Sequence, residues 1–443
     1  MELGQRESNL AVAAEKAVLV GLLLPNDGLD PHDPLGELRS LADTAGAVVV
    51  DALMQKRVTP DPKTFIGKGK VQELAEMVRY HRAEVVLFEN DLSPSQIAKV
   101  EEAVECKVLD RSELILDIFA ARARTAEARL QVELAQLEYT YPRLRAMWSH
   151  LERIVGGAPA GIGTRGPGEQ QLEIDRRIVQ RKKAQLRREI AEVQQRKARE
   201  VAARKLDYYT VGLVGYTNAG KSTLFNTLTE GGAYADDKLF ATLSTRTRSW
   251  RLGDGDEVML SDTVGFVRNL PHHLVASFKA TLEEAVHADL LLIVLDVADP
   301  NARRMLETVQ QVLDDIGATD NQRLLILNKI DKLENNAELL MLTGAFPDAI
   351  AVSAHSGIGL EKVVEAVRST AHGTVHELDI TVPHADGKAL SYLENRATIL
   401  EREYLAEVVQ LKVRMGKRQI DQLRAMGTSA RLPGDAAKRG WGR

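Results

Sequence analysis

The stretch Gly215-Tyr216-Thr217-Asn218-Ala219-Gly220-Lys221-Ser222 decides how this chain is read. It satisfies G-x-x-x-x-G-K-[ST] at every required position. An apolar strand, Val211-Gly212-Leu213-Val214, runs into it, and a helical pattern, Ser222-Thr223-Leu224-Phe225-Asn226-Thr227-Leu228, runs out. A glycine-rich turn in that setting aims successive backbone N–H groups at a phosphate chain, with a helix N-terminus behind them. Lys221 reaches the β- and γ-phosphates, and the Ser222 hydroxyl suits Mg²⁺. The plain alternative is an ordinary turn; the strand before and the helix after argue against it.

The base is read as guanine. The apolar strand Arg323-Leu324-Leu325-Ile326-Leu327 ends in Asn328-Lys329-Ile330-Asp331, an N-K-x-D run. Parallel sheets bind ligands at that C-terminal edge. A carboxylate at Asp331 accepts two hydrogen bonds, from the N1–H and the exocyclic amine of guanine. Adenine offers no such pair, and a site built around a required hydrogen bond rejects the wrong ligand by ~10⁴-fold. The Lys329 stem covers the base. Alone the run is weak; its place after a strand, downstream of a phosphate loop, gives it weight.

Two further pieces complete the set. Val258-Met259-Leu260-Ser261 leads into Asp262-Thr263-Val264-Gly265, a D-x-x-G run. Asp262 is expected to hold Mg²⁺ through water, and the Gly265 N–H to sense the γ-phosphate. Between the two motifs lies Leu239-Phe240-Ala241-Thr242-Leu243. Thr242 is the choice for a threonine closing over Mg²⁺ and the γ-phosphate, with Thr245 as the alternative. After the strand Ala349-Ile350-Ala351-Val352, Ser353-Ala354 suits a backbone contact to guanine O6. Catalytic roles are expected for Lys221, Thr242, Gly265 and Asn218. Residues 206–372 therefore read as a doubly wound α/β domain that binds GTP or GDP. The position after D-x-x-G, where a glutamine often orients the attacking water, is Phe266. Turnover is expected to be slow unless a partner or a cation completes the site. Asn218 either holds K⁺ beside the phosphates or bonds its own turn.

Composition sets the frame. The 443 residues suffice for about three domains. Net charge is −5, unevenly spread. Residues 111–205 carry 20 Lys/Arg against 12 Asp/Glu, and the remainder is net −13. One element facing a polyanion accounts for that asymmetry. Cys106 is the sole cysteine, which excludes an intramolecular disulfide and fits a reducing compartment. No apolar run reaches the roughly 18 residues that span a bilayer, and no secretory signal pattern opens the chain. A cytoplasmic monomer without an integral membrane segment is expected, loose membrane association being the alternative.

Residues 1–110 alternate strand and helix patterns and read as a small α/β module. Strands are expected at Ala17–Leu24, Ala47–Val50, Glu84–Phe88 and Lys107–Leu109. Helices are expected at Leu35–Thr44, Val71–Tyr80 and Pro94–Val104, the last opened by Ser93 as N-cap. The turn Ile66-Gly67-Lys68-Gly69-Lys70 is either a phosphate turn or a surface turn. Residues 111–205 read as an antiparallel helical hairpin. Leu130, Leu134, Leu137 and Tyr141 stripe one arm, and Leu186, Ile190 and Val193 the other. Six glycines and two prolines from Gly156 to Gly168 interrupt them. The basic face is either simply solvated or an arm carrying a slim loop to RNA. In the second reading Arg165, Arg176, Arg177, Lys182 and Lys183 are the contact candidates.

Several motifs then converge. Phe65-Ile66-Gly67-Lys68-Gly69-Lys70-Val71, Asp110-Arg111-Ser112-Glu113-Leu114-Ile115-Leu116-Asp117-Ile118-Phe119 and Arg129-Leu130-Gln131-Val132-Glu133-Leu134-Ala135-Gln136-Leu137 resemble the N-terminal region of the HflX GTPase family. So does Gly161-Ile162-Gly163-Thr164-Arg165-Gly166-Pro167-Gly168-Glu169, followed by a GTPase domain with Phe240-Ala241-Thr242-Leu243. The resemblance spans roughly Ala17 to His372. It implies a translation-associated factor that binds the large ribosomal subunit, through ribosomal RNA and proteins, and splits stalled or stress-damaged ribosomes. It also implies that the loop of the helical arm approaches the peptidyl-transferase region, and that ATP binds outside the GTPase domain in parts of the family. A GTPase serving ribosome assembly or RNA modification is the alternative. No paired carboxylates, Cys/His set or nucleophile–base constellation lies outside the GTPase region to support it. No DNA partner is expected.

The fold class is thus α/β: a P-loop GTPase domain with an N-terminal α/β module, a long helical hairpin and a small C-terminal α+β domain. That last domain is placed at 373–427, with strands at Leu378–Val382 and Val408–Val413 and helices at Gly387–Arg396 and Lys417–Ala425. A flexible tail is expected over 428–443.

Overall fold

A computed structural model describes residues 15–25, 33–139, 167–229, 239–240, 245–253, 256–268, 285–319, 321–333, 335, 337–372 and 375–432. The N-terminal module is a four-stranded parallel sheet of β1 (Lys16–Leu23), β2 (Val48–Lys56), β3 (Val85–Phe88) and β4 (Lys107–Asp110), in the order β2-β1-β3-β4. Its inner strands are apolar because both faces are covered. Along β1, Ala17 and Leu19 enter one core with α1 (Gly36–Ala45) and α4 (Arg111–Arg122). Val18, Val20 and Leu22 enter the opposite core, beside α2 (Lys68–His81) and α3 (Pro94–Val104). Ser93 caps α3 in a reciprocal pair with Gln96.

The N-terminal module extends beyond the boundary read from the sequence. Helix α4, counted above as the start of the hairpin, buries Leu114, Ile115, Ile118 and Phe119 in the module's core. The hairpin proper is α5, helical over 126–139, against α6 (Pro167–Asp207). Leu134 meets Leu186 and Ile190, with Leu130 and Leu137 packed alongside, so the two leucine stripes do form one seam. Val193 is half-buried outside that cluster, and Tyr141 lies outside the described residues. Ion pairs lace the seam: Lys182–Glu133 at 3.0 Å, Arg187–Glu138 at 2.6 Å and Lys197–Glu127 at 2.5 Å.

The GTPase region holds a six-stranded sheet of β5 (Tyr209–Gly215), β6 (Arg246–Gly253), β7 (Asp256–Asp262), β8 (Leu290–Asp296), β9 (Gln322–Asn328) and β10 (Ile350–Ala351). Its order is β10-β9-β8-β5-β7-β6, parallel except for the β6–β7 pair. Helices α7 (Lys221–Leu228), α8 (Ala302–Asp315), α9 (Ala337–Ala345) and α10 (Leu360–His372) are among the described elements around it. Strand β5 is central, so the loop that follows it opens where the strand order diverges.

The C-terminal domain is antiparallel, with β11 (Val375–Pro383), β13 (Val408–Gly416) and β12 (Thr398–Tyr404) in that spatial order. Helices α11 (Gly387–Arg396) and α12 (Lys417–Ala425) cover one face. Strand β12 sets Ile399 and Leu400 side by side among charged residues and is mostly exposed, so it carries no apolar alternation to read. The tail read from Thr428 begins later than expected. Arg431 bridges Thr381 through two backbone hydrogen bonds, and Leu432 is buried in the domain core. Residues 433–443 lie outside the described residues.

Leu186 is 1% exposed in a small apolar cluster. Replacing it with alanine removes much of that contact, so Leu186→Ala should cost roughly 2–3 kcal/mol locally. Hydrogen exchange over 126–139 should accelerate while exchange in β8 stays unchanged.

Candidate active site

The phosphate loop is built on backbone conformations that its sequence permits. Gly215 leaves β5 at φ 152°, and a Cβ there would lie 2.3 Å from the Val294 carbonyl oxygen. Gly220 caps α7 at φ 92°, where a Cβ would strike the Asn328 amide at 2.3 Å. Asn218 takes a left-handed φ of 60°, which asparagine tolerates. Lys221 is buried, and its Nζ donates to the carbonyls of Gly215 at 3.0 Å and Tyr216 at 2.7 Å. Burial chiefly, with Lys329 adding to it and Asp262 opposing, pulls this ammonium down to about 8. A polyphosphate supplies the counter-charge that a buried lysine lacks.

The Ser222 hydroxyl donates to Asp262 Oδ2 at 2.8 Å. A hydroxyl and a carboxylate from the phosphate loop and D-x-x-G are thus a hydrogen bond apart, an oxygen donor set suited to a hard cation. Thr242 and Ala241 lie outside the described residues; Thr245 is half-buried at the start of β6. Gly265 sits against the loop: a Cβ on it would be 2.8 Å from Thr217 Cγ2 and 3.0 Å from Lys221 Nζ.

Several residues assigned to the nucleotide from sequence turn their side chains elsewhere. The Thr263 hydroxyl donates to the Leu213 carbonyl at 2.6 Å. Val264 and Phe240 enter the N-terminal core, where Phe240 meets Phe119 edge-on at 4.6 Å. Phe266 is buried in a cluster with Tyr216, and its backbone exchanges hydrogen bonds with Gly215 and Thr217. Thr223 is half-buried on the first turn of α7.

At the base end, Asn328 joins three loops. Its Nδ2 donates to the Ala219 carbonyl at 2.8 Å, and its Oδ1 accepts the Ala354 N–H at 2.9 Å. Lys329 adopts φ 66° and pairs with Asp296 at 2.6 Å. Ile330 packs half-buried beneath it. The exposed Asp331 carboxylate accepts from the Ser353 hydroxyl, which leads the effects holding its pKa below the usual carboxylate value.

Four family descriptions match in chain order: GTP-binding GTPase N-terminal over 32–120, GTP-binding GTPase Middle Region over 122–204, 50S ribosome-binding GTPase over 210–329, and HflX C-terminal domain over 339–436. GTPase HflX of Escherichia coli is 44% identical over 407 residues, 91% of this chain and 94% of its own length. GTPase HflX of Caldanaerobacter subterraneus is 41% identical over 412 residues, 93% of each chain. The chain belongs to the HflX family of GTPases. Among solved structures, a GTP-binding protein of Sulfolobus solfataricus in complex with GDP aligns at 24% identity over 81% of this chain and 98% of its own, with a TM-score of 0.43. As a member, this HflX GTPase binds GTP and GDP and hydrolyses GTP.

A second constellation in this HflX GTPase has no short motif to announce it. The Tyr216 hydroxyl donates to Glu37 at 2.8 Å and accepts the Arg268 N–H at 2.7 Å. Burial first, then Glu37, pushes the phenol pKa up, so it stays a donor. Arg111 grips Glu37 at 2.7 Å, Glu89 at 2.6 Å and the Arg268 carbonyl at 2.9 Å. Arg268 returns to Glu89 at 2.8 Å. The signal in sequence was indirect: two arginines and two glutamates at segment ends, far apart along the chain.

Among the RNA-contact candidates, Arg165 and the Arg176 side chain lie outside the described residues, and Arg177 is exposed. Lys182 and Lys183 are engaged with Glu133 and Glu138 across the hairpin, Lys183 being only 14% exposed. Those two stabilise the seam. The exposed basic positions on α6 include Arg177, Arg181 and Arg188.

Asp331→Asn provides the test of the base reading. The amide donates to xanthine O2 where a carboxylate repels it, so the variant should prefer xanthosine triphosphate over GTP in competition binding. An unchanged preference would remove Asp331 from the base site.

Proposed function

We propose that this GTPase binds the large ribosomal subunit and uses GTP binding and hydrolysis to part stalled or stressed ribosomes into subunits. The observation that carries the reading is the hairpin: a net charge of +8 over 123–205 in a chain of net −5, on an arm interrupted by a glycine-rich segment. Residues 210–329 match a family described as 50S ribosome-binding, which supports the same partner. The protein is taken to act as a monomer in the cytoplasm. No helix among the described residues is long and apolar enough to cross a membrane.

Each residue of the site then has a role. Backbone N–H groups of Gly215 to Ser222 cradle the phosphates, Lys221 neutralises the β- and γ-phosphates, and Asp331 reads guanine, with Asn328 fixing the loops around it. Ser222, Thr242 and Asp262 hold Mg²⁺, Asp262 through water; the 2.8 Å Ser222–Asp262 contact supports their sharing one ion. Bound Mg²⁺ would offset the charge that grows on the phosphate oxygens. Gly265 meets the γ-phosphate, and Asn218 helps hold K⁺ where an arginine finger would otherwise bring charge.

Three measurements follow. Hydrolysis at matched ionic strength should be several-fold faster in K⁺ than in Na⁺; equal rates would sink the cation role of Asn218. Reversing Arg177, Arg181 and Arg188 should weaken ribosome pelleting and lower its salt slope by about one unit per lost phosphate contact. Deleting Gly161–Gly166 should instead abolish subunit separation, read by light scattering, while sparing much of the affinity. Splitting at the rate of the intact protein would reduce the arm to a spacer.

A further inference from the structure

One hydroxyl in the phosphate loop has nothing to bond. Thr217 is 6% exposed, and its Oγ1 has neither solvent contact nor a hydrogen-bond partner among the described residues. Other groups around it are accounted for. The Thr217 N–H donates to the Phe266 carbonyl at 2.7 Å, and Lys221 Nζ has its two carbonyls. Buried hydroxyls left unsatisfied are costly and uncommon, and one in a native fold calls for an explanation. A valine would fill the same volume without that cost.

The surroundings indicate the missing partner. Thr217, Lys221 and Gly265 converge on one point, the position a Gly265 Cβ would take, 2.8 Å from the threonine methyl and 3.0 Å from the ammonium. Lys221 and Gly265 are the two groups assigned above to the γ-phosphate. The next residue, Phe266, is 3% exposed and has no group with which to hold water. Thr217 also lines a cavity of about 390 Å³ on the side of the loop bounded by Glu37, Tyr216, Asn218, Arg268 and Arg304, which Lys221 and Gly265 do not line. That volume holds several waters at roughly 30 Å³ each.

We propose that Thr217 Oγ1 orients the attacking water, in the place of the glutamine that this chain lacks. Its oxygen accepts one O–H of the water and aims a lone pair at the γ-phosphorus; its own proton is donated to a γ-phosphate oxygen. The water oxygen bonds to phosphorus as the bond to the β–γ bridging oxygen breaks. That electron pair leaves with GDP, and the water proton ends on inorganic phosphate. A γ-phosphate admitted beside Lys221 supplies the orphaned hydroxyl with the acceptor it lacks. The proposal rests on Gly215–Ser222 being the phosphate loop, and on nothing about the ribosome.

The test compares Thr217→Val with Thr217→Ser in the full chain at fixed K⁺ and Mg²⁺. Valine keeps the shape, so affinities for GDP and a non-hydrolysable GTP analogue should stay within about threefold. Single-turnover hydrolysis should fall about tenfold or more, and trapping of GDP with aluminium fluoride should fail. Serine should restore both. A valine variant that hydrolyses at the wild-type rate overturns the proposal. So does one whose nucleotide affinity falls as far as its rate, because that pattern marks a packing role. Lys221→Ala is the separate control: retained GTP affinity there would remove the phosphate-loop reading itself, whatever Thr217 does.

Discussion

Four charges, two buried and two half-buried, must neutralise one another before this protein can hold its GTPase region against its N-terminal module. Glu37, Glu89 and Arg111 come from the module; Arg268 comes from the segment after D-x-x-G. Burial pushes the Glu89 carboxyl pKa up, with Arg111 and Arg268 opposing that effect. Burial would lower the Arg111 pKa, but Glu37 and Glu89 outweigh it and raise that pKa as well. Removing one member of such a set strands the others, which typically costs about 3–5 kcal/mol. Charged groups are a weak way to gain stability but a strict way to fix geometry. The docking links all four by hydrogen bonds and places the Tyr216 hydroxyl between Glu37 and the Arg268 N–H.

The apolar packing around that set has the same consequence. Leu239, Phe240, Val264 and Val267 belong by sequence to the GTPase region and by burial to the core of the N-terminal module. Ala128, Val132 and Ala135 at the base of the hairpin enter the same cluster. Close-packed interiors transmit displacement because they have few voids to absorb it. The residues flanking the γ-phosphate position and the root of the basic arm therefore share one packing unit. Where the arm points is set by the same side chains that seat D-x-x-G.

The GTPase motifs were legible because each is a short run with a fixed geometric task. Gly215, Gly220, Lys221, Asn328 and Asp331 were named from spacing alone, since the chemistry expected of each is local to one turn. The sheets were legible where strands are buried on both faces, as in β1 and β8. What stayed hidden depends on distance in sequence. The quartet of charges joins residues up to 231 positions apart, as in the Arg268–Glu37 contact, and no local pattern encodes that pairing. Arg111 was counted with a basic hairpin, although it lies at the start of a core helix. Lys182 and Lys183 were read as contacts for a polyanion, although glutamates on the opposing helix claim them. A charge run shows which helix is basic; it does not show which face is free. Strand β12 failed to register for a related reason, because on this mostly exposed edge strand Ile399 and Leu400 adjoin each other and do not alternate with polar residues.

Phe266 shows how these constraints meet at one position. Its N–H donates to the Gly215 carbonyl, its carbonyl accepts from Thr217, and its ring is buried with Tyr216 and Leu295. A glutamine in that place would bring an amide into an apolar cluster with no partner there, at a cost of roughly 1–3 kcal/mol. Turning the amide outward would strip the cluster of its aromatic ring. The fold uses this position to pin the D-x-x-G segment onto the phosphate loop, so the position cannot also orient water. Under the proposal above, Thr217 supplies that function from a buried hydroxyl of the phosphate loop that the nucleotide itself completes.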